Sequence, residues 1–177
     1  RLGIKETVPS DLPAEFSQYL IEAGKDGTGV RVATNNTNLP MTGITQDTTY
    51  ACSSPSDHAT AVAGILKSIN SPDRGVATGV SLWASGSCNG DWTQLKNRAE
   101  AAVQQQNVDL VNMSWTCGDS TNLGLCQDWA GLNTLPYERL VYFNHRAIIV
   151  SAGNDGTTAM GDGTGKIYEP ANGYNVI

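Results

Sequence analysis

Long apolar runs are missing from this chain of 177 residues: 40% of it is apolar, yet no stretch approaches the length that crosses a bilayer. No charged-then-apolar leader opens it, so the expectation is a soluble, mature polypeptide without a membrane partner. Cationic residues are also few. Eleven Lys and Arg stand against 17 Asp and Glu, for a net charge of −6, and their scatter leaves no basic stripe for nucleic acid. Cysteine occurs only as Cys52, Cys88, Cys117 and Cys126, too few for a disulfide scaffold and with no Cys-x-x-Cys pair that would indicate zinc. What the chain has in quantity is glycine, 19 residues of it, mixed with Asn, Thr and Ser in long polar loops around a core of one domain or part of one. The even cysteine count within such loops favours an oxidising, secreted or extracytoplasmic setting. Cys117 and Cys126 share one polar loop with Gly118 and Gly124 between them, which favours their pairing; Cys52 and Cys88 then pair by elimination.

Taken in order, Ser10 to Ala23 reads as a surface helix stopped by Gly24, and Gly24 to Gly29 as a turn. Val30 to Thr34 is strand-like, and Asn35 to Gln46 is polar and irregular. Asp57 to Ile69 carries Ala61, Val62, Ile65, Leu66 and Ile69 at helical spacing. A second short strand lies in Gly75 to Ala84. Thr93 to Gln106 is amphipathic, with Leu95, Ala99, Ala102 and Val103 on one face. Val108 to Ser114 and Ala147 to Ala152 are nearly all apolar, as strands covered on both faces are. A further helix falls within Trp129 to His145, with His145 as a structural residue at its end. Asn175-Val176-Ile177 opens another strand. Alternating strands and helices predict an α/β fold of three layers, a mostly parallel sheet with helices on both faces.

His58 stands at the start of its helix, where the helix dipole disfavours imidazolium and leaves a neutral ring of the kind a general base requires. The bland alternative is a solvated histidine beside a cap supplied by Asp57. The small residues Ala59, Ala61, Ala63 and Gly64 point to close backbone contact with something large.

Five segments in order resemble the subtilisin-like serine peptidases. His58-Ala59-Thr60-Ala61-Val62-Ala63-Gly64 is similar to that family's His-Gly-Thr-His-Val-Ala-Gly motif. Gly75-Val76-Ala77-Thr78-Gly79-Val80-Ser81-Leu82 resembles its Gly-Val-Ala-Pro-x-Ala-x-Leu strand entry. Val108 to Ser114 resembles Val-Asp-Val-Ile-Asn-Met-Ser, Ser151-Ala152-Gly153-Asn154 resembles Ala-Ala-Gly-Asn, and Pro170 to Ile177 resembles Pro-Ala-x-x-x-x-Val-Ile. Together they cover roughly Gly27 to Ile177.

The resemblance implies peptide-bond hydrolysis by acyl transfer, with His58 as base and Asn154 as the side-chain donor to the oxyanion. Alone, Asn154 would read as an Asx-turn residue in Gly-Asn-Asp-Gly. The family binds peptide as an added strand, which by motif position places substrate between Ser87 to Trp92 (with Asn89 and Gly90) and Ser114-Trp115-Thr116. Ser151, Ala152 and Gly153 would wall the pocket for the residue before the cut. Trp92 and Trp115 are apolar contacts for substrate or ordinary core and rim aromatics. A cis Glu169–Pro170 bond is implied as well.

Two positions depart from the pattern. Asn36 stands where the family has its aspartate, with Asp47 as a conceivable substitute acid, and no Gly-Thr-Ser-x-x-x-Pro motif supplies the nucleophile. The chain is therefore expected to be the N-terminal part of one catalytic domain, inactive alone and completed by a later segment or second chain that carries the serine. Asn70 to Arg74 is too short for the family's calcium loop, so no metal and no cofactor are expected. A catalytically inactive domain of this kind that binds peptide or protein is the alternative. Nucleotide binding fails: Gly24 to Gly29 precedes a strand, and around Gly165-Lys166 a P-loop would need glycine at Met160 and Ser or Thr at Ile167.

Overall fold

The structure is a computed structural model and describes residues 26–34, 43–50, 53, 57–70, 74–88, 91–115, 134–152, 170–171, 173 and 175–177. In chain order the elements are β1 (Arg31–Thr34), β2 (Thr45–Gln46), α1 (Asp57–Lys67), β3 (Ser81–Ala84), α2 (Trp92–Gln104), β4 (Leu110–Met113), α3 (Leu135–Asn144) and β5 (Ala147–Val150). The strands form one sheet in the order β2-β3-β1-β4-β5, every pairing parallel. Ile177 donates to the Ile148 carbonyl at 3.0 Å and accepts from the Val150 N–H at 2.7 Å, the bond pair of a parallel ladder, so the sheet continues past β5. The helix expected over Ser10 to Ala23 lies outside the described residues.

Alternation along each strand builds two cores. Val32, Leu82 and Ala84 face α1, whereas Ala33, Trp83 and Val111 face α2 and α3. That is the three-layer α/β arrangement expected. One strand lies within the segment expected to be irregular. β2 is two exposed polar residues that pair with Trp83 and Ala84 of β3, so neither hydrophobicity nor period marks it.

On α1 the buried stripe differs from the expected one. Ala59 and Ala63 are buried and Leu66 packs beside them, while Ile69 lies beyond the helix and is 67% exposed. The sheet side of α1 is thus formed by its smallest side chains, which share one buried cluster with Val32 and Leu82. Asp57 is the first helical residue and not the cap, a position where its charge suits the positive helix end. A Cβ at Gly64 would meet nothing within 4 Å among the described residues, so the expected close approach falls at Ala59 and Ala63 instead. Gly64→Ala is therefore expected to stabilise this chain by about 0.5–1 kcal/mol, through helix propensity alone. Thermal unfolding checks it; a loss of stability would mean that another segment lies against that face.

The far end of α1 is held by a strand-entry segment. Val76 and Ala77 donate to the carbonyls of Ile65 and Leu66, each at 2.8 Å, and Gly75 donates to that of Ser68 at 2.7 Å. These bonds satisfy acceptors that a helix C-terminus leaves open. Lys67 returns the connection, its ammonium donating to the carbonyls of Thr78 and Val80. The orientation of α1, and with it the place of His58 at the opposite end, follows from this clasp. α3 ends as expected near His145, which takes the left-handed conformation at φ 54° and donates its N–H to Val141. No helix among the described residues is long and apolar enough to cross a membrane.

Candidate active site

In a parallel sheet the carboxyl ends of the strands leave backbone groups unpaired beside loops that can carry chemistry, and His58 is brought to that edge. Met113 gives its carbonyl to the Ser151 N–H at 3.0 Å, on the β5 side. Backbone polar groups alternate along a strand, so the next residue, Ser114, turns its carbonyl toward β1. Among the described residues the last β1 pairing is Thr34 opposite Asn112. Beyond it, Nε2 of His58 lies 2.8 Å from the Ser114 carbonyl oxygen. That oxygen can only accept, so the ring nitrogen facing it carries the proton. The ring itself is exposed. Ser114 is steadied further by Asn112, whose side-chain amide donates to its hydroxyl at 3.0 Å.

Ser151 and Ala152 directly follow β5, the strand paired with β4 at this edge. The two segments assigned to substrate also converge. Trp92, the first residue of α2, meets Trp115 edge to face with centroids 4.9 Å apart, and Trp115 meets buried Tyr137 at 6.3 Å. Both tryptophans are half-buried, and Trp115 packs against the core beneath α2 and α3, in keeping with rim aromatics. Burial, reinforced by the charge of Glu100, pushes the Tyr137 hydroxyl far above its ordinary pKa, and that hydroxyl has no hydrogen-bond partner among the described residues. Asn36, Asn154, Thr116, Gly153, Asn89 and Gly90 lie outside the described residues, as does the Glu169–Pro170 bond. Cys52, Cys117 and Cys126 lie outside them too; Cys88 is described and is not a free thiol.

Asp47 does not serve as a spare acid for His58. One carboxylate oxygen accepts from the N–H and hydroxyl of Thr49, the other from the Ser85 hydroxyl at 2.9 Å and from Arg98 at 2.7 Å. The Arg98 guanidinium also lies over the Tyr50 ring at 5.3 Å. This clamp joins the segment after β2, the end of β3 and the outer part of α2, and so fixes where the Ser85–Ser87 segment leaves the sheet. Beyond it, the Ser87 hydroxyl accepts from the Asp91 N–H at 3.0 Å, and Asp91 caps α2 through Gln94. No local sequence pattern links Asp47 to Arg98, 51 positions away.

Burial raises the Asp47 carboxyl, but bonds from Thr49, Arg98 and Ser85 outweigh it and bring the pKa from 3.8 to about 2. A carboxyl depressed in the folded state stabilises above its unfolded pKa and loses that contribution as pH falls through the folded value. The clamp is thus expected to add on the order of 2 kcal/mol near neutrality, fading between about pH 4 and pH 2. The stability difference between the wild-type chain and Asp47→Asn, followed by denaturant melts across that window, should shrink with acid. A difference independent of pH would refute the assignment. Among the described residues, no group of three His, Cys, Asp or Glu is placed to hold a metal ion.

Residues 32–177 match the family model described as the subtilase family. No curated protein matches the chain. Among solved structures it is similar to the protease domain of PatA, with a TM-score of 0.60 and 18% identity over 85% of this chain and 57% of that one. It is also similar to a lanthipeptide protease, at 0.58 and 17% over 99% of this chain and 58% of that one. A third likeness is to the psychrophilic subtilisin-like protease Apa1 from the Antarctic psychrotroph Pseudoalteromonas sp. AS-11, at 0.61 and 16% over 92% and 39%. Identities this low establish the fold, and the chain spans between 39% and 58% of the length of these three structures.

Proposed function

The chain belongs to the subtilase family, and from that premise we propose that it supplies the base, the oxyanion donor and the substrate-binding strands of a secreted serine endopeptidase. The observation that carries this reading is the meeting of His58 with the Ser114 backbone at the carboxyl edge of the sheet. His58 takes the proton of a serine hydroxyl as that oxygen attacks the substrate carbonyl, then returns it to the leaving amine. Asn154 donates its side-chain N–H to the developing oxyanion. Peptide lies as an added strand along Ser114-Trp115-Thr116, with Ser87 to Trp92 on its other side, and Ser151 to Gly153 wall the pocket for the residue before the cut. The serine comes from a later segment or a second chain that completes the sheet next to Ile177. Cys117–Cys126 and Cys52–Cys88 disulfides accord with secretion.

A second reading, an inactive domain that binds peptide or protein, is favoured by one observation, the amide of Asn36 at the family's aspartate position. Turnover of a peptide by the complete protein separates the two. The enzyme reading expects measurable hydrolysis that falls roughly 10²–10⁴-fold in His58→Ala, the usual worth of a general base, with peptide binding retained. Binding without any turnover, unchanged by His58→Ala, would establish the inactive domain.

A further inference from the structure

Nε2 is the nitrogen of His58 that reaches across to Ser114, and it is protonated there. A base facing the cleft must present a bare Nε2, so this contact holds the ring in the form whose bare nitrogen is Nδ1 instead. The holding group is a main-chain oxygen on the β1 side of β4, two residues past Asn112, the last β4 residue paired with β1 among the described residues. The same oxygen, on the same side of β4, is the acceptor that a peptide laid as an extra strand along Ser114 and Trp115 would take with one of its N–H groups. Ring and peptide therefore compete for one acceptor from one direction.

We infer that the Ser114 carbonyl is a latch: it keeps His58 in the Nε2–H tautomer, and binding of an extended peptide takes the carbonyl and frees Nε2 to act as base. The exchange is a proton balance only: Nε2 gives its proton to water, Nδ1 gains one from water, and the net charge of the ring is unchanged. Generating the base then depends on substrate, which would keep the site idle toward groups that do not bind as a strand. The inference rests on the reading of Ser114 and Trp115 as a peptide-binding strand.

The test is nitrogen NMR of the complete protein carrying 15N-labelled histidine, with His58 assigned by its loss in His58→Ala. The probes are an extended peptide whose scissile bond is reduced, and the same peptide N-methylated at the amide facing Ser114. In the free protein Nε2 is expected to resonate as a protonated nitrogen and Nδ1 as a bare one. Saturation with the first peptide should interchange the two signals; the N-methylated peptide should bind more weakly and leave them in place. A bare Nε2 in the free protein overturns the latch, as does binding without interchange, or equal interchange by both peptides. If neither peptide moves the Ser114 and Trp115 amide signals, the peptide-binding strand itself is wrong and the latch falls with it.

Discussion

Replacing Gly75 by alanine is expected to destabilise this chain by about 3 kcal/mol, the upper end of what overpacking a tight site costs together with lost hydrogen bonds. The motive is geometric. A Cβ at Gly75 would lie 2.6 Å from the Lys67 nitrogen and 2.7 Å from the Leu66 carbonyl carbon and the Ser68 nitrogen, all main-chain atoms that cannot turn aside. Relief requires the strand-entry segment to withdraw from α1, weakening the bonds from Gly75, Val76 and Ala77 to the helix end. For a chain of this size the melting temperature should fall by roughly 6–12 °C. Because the clasp also orients α1, the His58–Ser114 contact at the other end should loosen in the same variant. A melt within a degree or two of wild type would show that the close approach at Gly75 is not a feature of the protein. Gly64→Ala is the control, a glycine of the same helix region with open space where the methyl would go.

The second large effect concerns Asn36. An amide at the orienting position can accept a hydrogen bond from His58 Nδ1, but it can equally donate to it and favour the wrong tautomer, and it does not stabilise imidazolium. In the complete protein, Asn36→Asp is expected to raise kcat by orders of magnitude with little change in KM, the pattern of an interaction gained in the transition state. The reverse exchange in a chymotrypsin-type triad lowers kcat by about 10⁴, which sets the scale. Peptide turnover by the complete protein with and without the exchange is the measurement. An unchanged rate would mean that Asn36 is not the orienting position, or that the domain binds peptide without cleaving it. The latch adds a link between the two experiments. A carboxylate at position 36 favours Nδ1–H, and so should shift the free protein toward the bare Nε2 that peptide otherwise induces.

Much of the architecture was legible from local pattern. The strands at Arg31, Leu110 and Ala147 lie in short, mainly apolar stretches, a pattern that shows itself without any partner in view. α2 is amphipathic enough that Leu95, Ala99, Ala102 and Val103 read directly as its buried side. His58 at a helix start, followed by small residues, could be set in a family because motif order is itself a property of the chain. Other features depend on which segments meet. β2 exists only because β3 offers it backbone partners, and its Thr45 and Gln46 carry no apolar signal. The α1 stripe is decided by which residues meet the sheet, so alanines at 59 and 63 are buried while the bulkier Ile69 lies past the helix end and stays exposed. Asp47 is a clamp because Arg98 and Ser85 arrive from elsewhere in the fold, and no spacing rule connects them. His58 finds the carbonyl of Ser114, 56 residues away, an acceptor that every residue possesses. The sequence by itself determined the periodicities, the order of the elements and the family. Tertiary structure alone decided which charges pair and which backbone oxygen His58 meets, because those energies belong to atoms made neighbours by strand order.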